Sequence, residues 1–138
     1  HVAQPDSGCQ IADLVDDAIA ADPNLPLLLL LRGNQAFEAH QYDVAEKFYA
    51  PLLDKPWTCP HYDALMAMSD IYKQRGASQR SMDFLERAMA YNPYYPIAFE
   101  EAAQRFVEEG RLDRALDIAA KGLVFNPDSA RLAELARR

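Results

Sequence analysis

Pro93 recurs as Pro127, Gly76 as Gly110, Tyr72 as Phe106, Ser81 as Ala115 and Ala88 as Gly122, every pair at the same interval along the chain. Pro23 precedes Pro93 by two such intervals plus a two-residue insertion. Gly33, Tyr42, Ala45 and Tyr49 enter the same phase if a unit begins at Pro26. A fixed period of this length marks a stack of like units, each able to bury its apolar face only against its neighbours.

Within each unit the apolar spacing is helical. Leu65, Met68, Ile71 and Tyr72 share one helical face, and Met82, Leu85, Ala88 and Met89 share another. The turn Arg75-Gly76-Ala77-Ser78 separates the two runs. Gly76 suits the left-handed position that ends a helix, and Ser78 suits the N-cap of the next. Each unit is thus expected to be a helical hairpin closed by proline punctuation: Asp22-Pro23-Asn24, Pro56, Asn92-Pro93-Tyr94 and Asn126-Pro127-Asp128.

A 34-residue helix–turn–helix unit with these positions resembles the tetratricopeptide repeat (TPR) family. The unit 96–129 offers Phe99, Ala103, Phe106, Ala115, Gly122 and Pro127; the unit 62–95 offers Leu65, Ser69, Tyr72, Ser81, Ala88 and Pro93. The unit 26–59 offers Leu29, Gly33, Ala45, Tyr49 and Leu52, with Pro56 displaced and Pro51 intruding. Ile11, Val15, Ala18 and Pro23 match the second half of a repeat over 9–23, and residues 130–138 read as a capping or next-repeat helix. The resemblance implies an all-α fold, a right-handed superhelical stack of antiparallel helix hairpins forming one domain. Gly33, Ser69 and Ala103 then serve helix approach at the usual 8–10 Å. Pro51 departs from the pattern and is expected to stop or bend its helix near Ala50.

The composition narrows the partners. Fourteen basic against twenty-one acidic residues leave a net charge of −7, which repels phosphate backbones and anionic membranes. The longest apolar run, Leu27–Leu31, is far short of the roughly 20 residues that span a bilayer. The partner expected is therefore a protein or peptide, with neither nucleic acid nor direct membrane insertion. The chain opens at His1 without a charged-then-apolar leader, and the reading favoured is a segment of a longer protein, cytoplasmic or from a bacterial periplasm.

No constellation for catalysis stands in the sequence. It holds no phosphate-binding glycine loop, nucleophile elbow or HExxH pattern. Cys59-Pro60-His61 lacks a second ligand pair at metal spacing, and His40 and His61 read as structural or exposed. Glu100-Glu101, Glu108-Glu109 and Asp16-Asp17 are adjacent pairs that diverge around a helix. The expectation is a non-enzyme with no cofactor and no metal. Cys9 and Cys59 are expected to be free thiols, because a helix from Cys9 to about Ala21 would place them roughly 18 Å apart, beyond disulfide reach.

In the TPR family, one stripe on the first helix of each repeat lines a concave groove for an extended or helical peptide. By position the resemblance implies a stripe of Leu27, Leu30, Asn34 and Phe37, then Asp63, Met66, Asp70, Lys73 and Gln74, then Ile97, Glu100, Gln104 and Val107. Leu30, Met66 and Ile97 could equally pack against neighbouring helices. The family's carboxylate-clamp positions hold Asn34 but also Leu30, Ala67, Ile97 and Glu101, so the cationic donors such a clamp needs are missing. Two readings stand: a scaffold binding a peptide in the groove, or a module that self-associates through its open half-repeat, where Ile11, Val15 and Ile19 lack a covering hairpin partner.

Overall fold

The computed structural model describes residues 25–137; the half-repeat expected over 9–23 and residue 138 lie outside the described residues. Among the described residues there are seven helices and no strand: α1 (Pro26–Glu38), α2 (Tyr42–Leu53), α3 (His61–Gln74), α4 (Ser78–Tyr91), α5 (Ile97–Glu108), α6 (Leu112–Phe125) and α7 (Ala130–Ala136). The chain divides into two compact units, residues 1–81 and 82–138, with the division inside α4.

In the first unit α1 packs on α2, α2 packs on α3, and α1 also touches α3. Leu25 is extended (φ −60°, ψ 141°), as the residue before a proline prefers, and Pro26 starts α1 where its missing N–H costs nothing. Leu30, Ala45, Tyr49, Leu52, Leu65 and Ile71 form the buried core of this unit. Gly33 lets α2 come close: a Cβ there would lie 2.5 Å from Tyr49 Cε1. Two residues expected to be small, Ser69 and Ser81, are wholly buried and satisfy each other. Ser69 Oγ donates to the Ser81 carbonyl at 2.9 Å, and Ser81 Oγ donates to the Ser69 carbonyl at 2.6 Å. Each hydroxyl thus meets a carbonyl that helix geometry leaves accessible, and neither goes wanting in the core.

In the second unit α5 packs on α6, and α7 touches both. Ala98, Ala102, Ala103, Ala115 and Ala119 make the close contacts, with Phe99, Phe106, Leu132 and Leu135 filling the space between. Asn126 Nδ2 donates to the Pro93 carbonyl at 2.8 Å and to the Gly122 carbonyl at 3.2 Å, which ties the turn after α6 to the one before α5. Ser129 caps α7, its Oγ accepting from the Leu132 N–H at 3.2 Å.

The turn within each hairpin recurs three times. His40 (φ 59°), Gly76 (φ 76°) and Gly110 (φ 74°) occupy the left-handed region. The N–H that follows reaches back across the last helical turn: Gln41 to the Ala36 carbonyl, Ala77 to that of Tyr72, and Arg111 to that of Phe106, at 2.8–2.9 Å. Gly76 does what its position in the period predicts. His40 does the same work without being glycine, at a cost of about 1–2 kcal/mol, and its Nδ1 lies 2.9 Å from the Tyr42 hydroxyl.

Three expectations need correction. First, of the stop or bend expected near Ala50, the stop does not occur: α2 continues through Pro51 to Leu53. The carbonyl that loses its partner is that of Lys47, an exposed residue reachable by water, and the last turn is held by the fully buried Leu52. His61 Nδ1, 2.8 Å from the Leu52 carbonyl, engages the helix end as well. Second, Ser78 is the first residue of α4 and not its cap; the Ser81 N–H already bonds the Ala77 carbonyl at 3.0 Å. Third, Cys59 is disulfide-bonded and not a free thiol. The one other cysteine in the sequence is Cys9, outside the described residues. The expectation of two thiols rested on a helix beginning at Cys9, a segment outside the described residues.

Candidate partner-binding surfaces

The stripe expected on the first helices falls into separate pieces, one in each unit. In the first unit, α1 carries Leu27, Leu30, Asn34 and Phe37, and α3 carries Asp63, Met66, Asp70 and Lys73. Leu30, Asp63 and Met66 are buried and present no surface. Leu27, Asn34, Phe37 and Asp70 are half-buried, and Lys73 and Gln74 are exposed. The usable surface is therefore a band of mixed chemistry, apolar at Leu27 and Phe37, amide at Asn34, and charged at Asp70 and Lys73.

Asn34 is held from below. The buried Tyr49 hydroxyl donates to its Oδ1 at 2.5 Å, so Asn34 keeps its amide N–H groups as what it can offer a peptide carbonyl. Burial pushes the Tyr49 phenol pKa well up, and the charges of Asp70, Asp63 and Glu38 push it further. The phenol stays a donor at any physiological pH. Phe37 is fixed by an edge-on contact with Tyr42, ring centres 5.4 Å apart.

In the second unit, α5 carries Ile97, Glu100, Gln104 and Val107, all half-buried. Two of these are engaged by the chain itself. The Ser129 hydroxyl donates to Glu100 Oε2 at 2.9 Å, and the Arg131 guanidinium donates to Gln104 Oε1. Ile97 and Val107 flank that contact.

A polar clasp at the turn end of the first unit escaped sequence reasoning. The Tyr72 hydroxyl donates to Glu46 at 2.8 Å, and Arg75 donates to Glu46 at 2.8 Å and to Asp43 at 2.5 Å. Arg75 and Arg80 also lie over the Tyr72 ring, 5.3 and 4.4 Å from its centre. Burial pushes the Glu46 carboxyl up, but the hydrogen bonds from Arg75 and Tyr72 and the charges of Arg75 and Arg80 outweigh it and hold the pKa below the usual range. The second unit repeats half of this: Arg111 and Arg114 both lie 5.1 Å from the Phe106 ring centre. Arg114 follows Arg80 by one full repeat period, as Phe106 follows Tyr72. That spacing is the signal that could have found them.

A different face of α1 forms a groove with α2, about 450 Å³ in volume. Leu28, Leu31, Val44 and Phe48 line it, with Arg32 and Gln35 at its rim. Val44 is 41% exposed at its edge. Among the described residues no cluster of His, Cys, Asp and Glu could hold a metal ion, and no helix is long and apolar enough to cross a membrane.

Neither a family model nor a curated protein matches the sequence. Solved structures do. Two crystal structures of MamA, a TPR-like protein, are 20% identical to this chain, with TM-scores of 0.64 and 0.65. Each alignment covers 96% of this chain, and they cover 70% and 75% of the MamA chains. At that identity the likeness establishes the fold: this chain is an all-helical repeat with TPR-like hairpins.

Proposed function

We propose that the chain is a protein-interaction scaffold of the TPR family, built from repeats over 26–59, 62–95 and 96–129, that binds an extended or helical peptide on its first-helix stripes and catalyses nothing. The observation that carries the reading is the surface left on the first unit. Leu27, Asn34, Phe37, Asp70 and Lys73 alternate apolar anchors with polar groups on α1 and α3, elements held rigid by the core beneath them. A peptide is recognised by that pairing of pockets with fixed hydrogen-bonding groups. In the second unit Ile97 keeps the same role, and Gln104 reaches a partner only if Arg131 releases it.

Selection of a random 12-residue peptide library on the folded chain tests this. Selected peptides should bind Leu27→Ala and Lys73→Ala at least tenfold more weakly than the parent chain, with unchanged far-UV circular dichroism. Peptides indifferent to both substitutions would remove the stripe from consideration. The second reading, self-association through residues 9–23, predicts dimers in sedimentation whose population rises with concentration.

A further inference from the structure

The most exposed large apolar side chains among the described residues are Trp57 (78%), Val124 (75%) and Tyr94 (69%). All three stand in or beside the turns that join one hairpin to the next. In the first unit Trp57 tips the turn between α2 and α3. The Thr58 N–H and hydroxyl both donate to the Lys55 carbonyl, at 3.0 and 2.7 Å, and the His61 N–H donates to the Thr58 carbonyl at 3.2 Å. Those bonds fix the turn with its indole in solvent and Lys55 at its base.

In the second unit the exposed rings form a ledge. Tyr94 meets Phe125 edge-on, ring centres 5.5 Å apart, and Phe125 stacks towards the buried Phe99. Two bonds hold the ledge in place: the Tyr94 N–H donates to Asn92 Oδ1 at 3.1 Å, and Asn126 donates to the Pro93 carbonyl. Val124 precedes Phe125, and the exposed Asp128 stands in the turn that follows it. A projecting indole with a cation beside it thus complements an aromatic ledge with an anion beside it.

We propose that Trp57 of one copy of the chain docks on the Tyr94–Phe125 ledge of a second copy, with Lys55 facing Asp128. A fixed indole against fixed aromatic rings loses little side-chain freedom, and aromatic anchors of this kind carry most of an interface's affinity. Because the two surfaces differ, each copy offers one of each. Their exposed apolar area is on the order of a few hundred Å², below that of a standard stable interface, so the contact is weak and follows concentration. It uses neither the first-helix stripe nor residues 9–23, and stands apart from both readings above.

Sedimentation of the full, unreduced chain from about 10 µM to about 1 mM should show an average mass that rises with concentration. Trp57 is the one tryptophan in the sequence, so its emission should move to shorter wavelength over the same range. Trp57→Ala and Tyr94→Ala should each weaken association at least tenfold with unchanged circular dichroism. An equimolar mixture of the two should restore a one-to-one pair, since one variant keeps the ledge and the other keeps the indole. Asp128→Lys should weaken association several-fold, and Lys55→Asp added to it should recover the loss. Should Tyr94→Ala lose its helical signal, the exposed Val124→Asp replaces it. A chain that stays monomeric throughout overturns the proposal. So does association that both variants keep or that their mixture fails to restore, and if Val15→Asp then abolishes it, the contact lies in residues 9–23.

Discussion

The first and last hairpins solve one packing problem in opposite ways. In α1·α2 the glycine is on the first helix and the aromatic on the second: the Tyr49 ring fills the space a Cβ on Gly33 would take. In α5·α6 the glycine is on the second helix, and a Cβ on Gly122 would lie 2.9 Å from Phe99 Cβ on the first. The repeat pattern therefore fixes the presence of a small residue facing a large one, and leaves open which helix supplies which. The two solutions differ in their polar consequence. Phe99 needs no partner and stacks near Phe125, ring centres 6.5 Å apart. Tyr49 brings a hydroxyl into the core, and that hydroxyl must be answered, which is why Asn34 sits beside Gly33 in the sequence.

If the pairing is the unit of stability, its parts should not be additive. Tyr49→Ala removes a fully buried ring and is expected to cost about 3–5 kcal/mol in urea unfolding. Gly33→Ala alone should cost about 1–3 kcal/mol by forcing the ring aside. Together they should cost at least about 1 kcal/mol less than the sum, because the new methyl enters vacated space. The same cycle on Phe99 and Gly122 should give a coupling of the same sign. Strict additivity in both would show that the two glycines are spacers unrelated to the rings.

Ala88 shares its position in the period with Gly122, one repeat further on, and is fully buried in α4. Ala88→Leu should lower stability by about 1–3 kcal/mol through overpacking. An unmoved denaturation midpoint would mean that α4 has room where α6 has none, and the equivalence between the two helices would fail.

The helical period was legible in the sequence because it is carried by residue size, and size repeats. Gly76, Gly110, Ser69 and Ala103 are read directly from their spacing, and the structure places the two glycines at positive φ and the other two in the core. What was not legible is carried by single long-range polar contacts, which have no period. Pro51 inside α2 is tolerated because Lys47 is exposed and Leu52 is buried. His61 reads as an unremarkable boundary residue until its ring meets the Leu52 carbonyl. The stripe shows the same division. Its face on α1 and α3 could be named, but Leu30 and Met66 could not be separated from Leu27, since core and surface positions lie one helical turn apart.

The serine crossing offers a third comparison. Ser69 and Ser81 stand where the next repeat has Ala103 and Ala115, both pairs being equally spaced along the chain. Either Ser→Ala change alone should cost about 1 kcal/mol, since it removes one buried hydroxyl–carbonyl bond while the remaining hydroxyl keeps its own carbonyl. The double change rebuilds the alanine crossing and should be close to neutral. A double variant as damaged as the sum of the singles would show that the hydroxyl–carbonyl bonds stabilise α3 against α4 beyond filling space.

The smallest effect separates the clasp of the first unit from its reduced counterpart in the second. Glu46 has its carboxyl pKa held below the ordinary value of 4.5 by Arg75 and Tyr72, whereas Phe106 has no hydroxyl to give a carboxylate, and its Arg111 pairs instead with Glu109 at 3.8 Å. A carboxyl whose pKa is lower in the folded chain than in the unfolded one stabilises the fold above the unfolded value. That contribution is lost as the pH falls from about 4.5 through the folded pKa. Glu46 and Arg75 are both partly exposed, so the contribution is on the order of 1 kcal/mol or less and shrinks with salt. Glu46→Gln should therefore be less stable than the parent chain at pH 7 and indistinguishable from it at pH 2.5, the two midpoints converging as acid protonates the parent. Midpoints that stay separated by the same amount at both pH values would assign the loss to packing of the side chain and not to its charge. Gln in place of Glu keeps the shape and can still accept from Tyr72, so convergence would isolate the ionic part of the clasp.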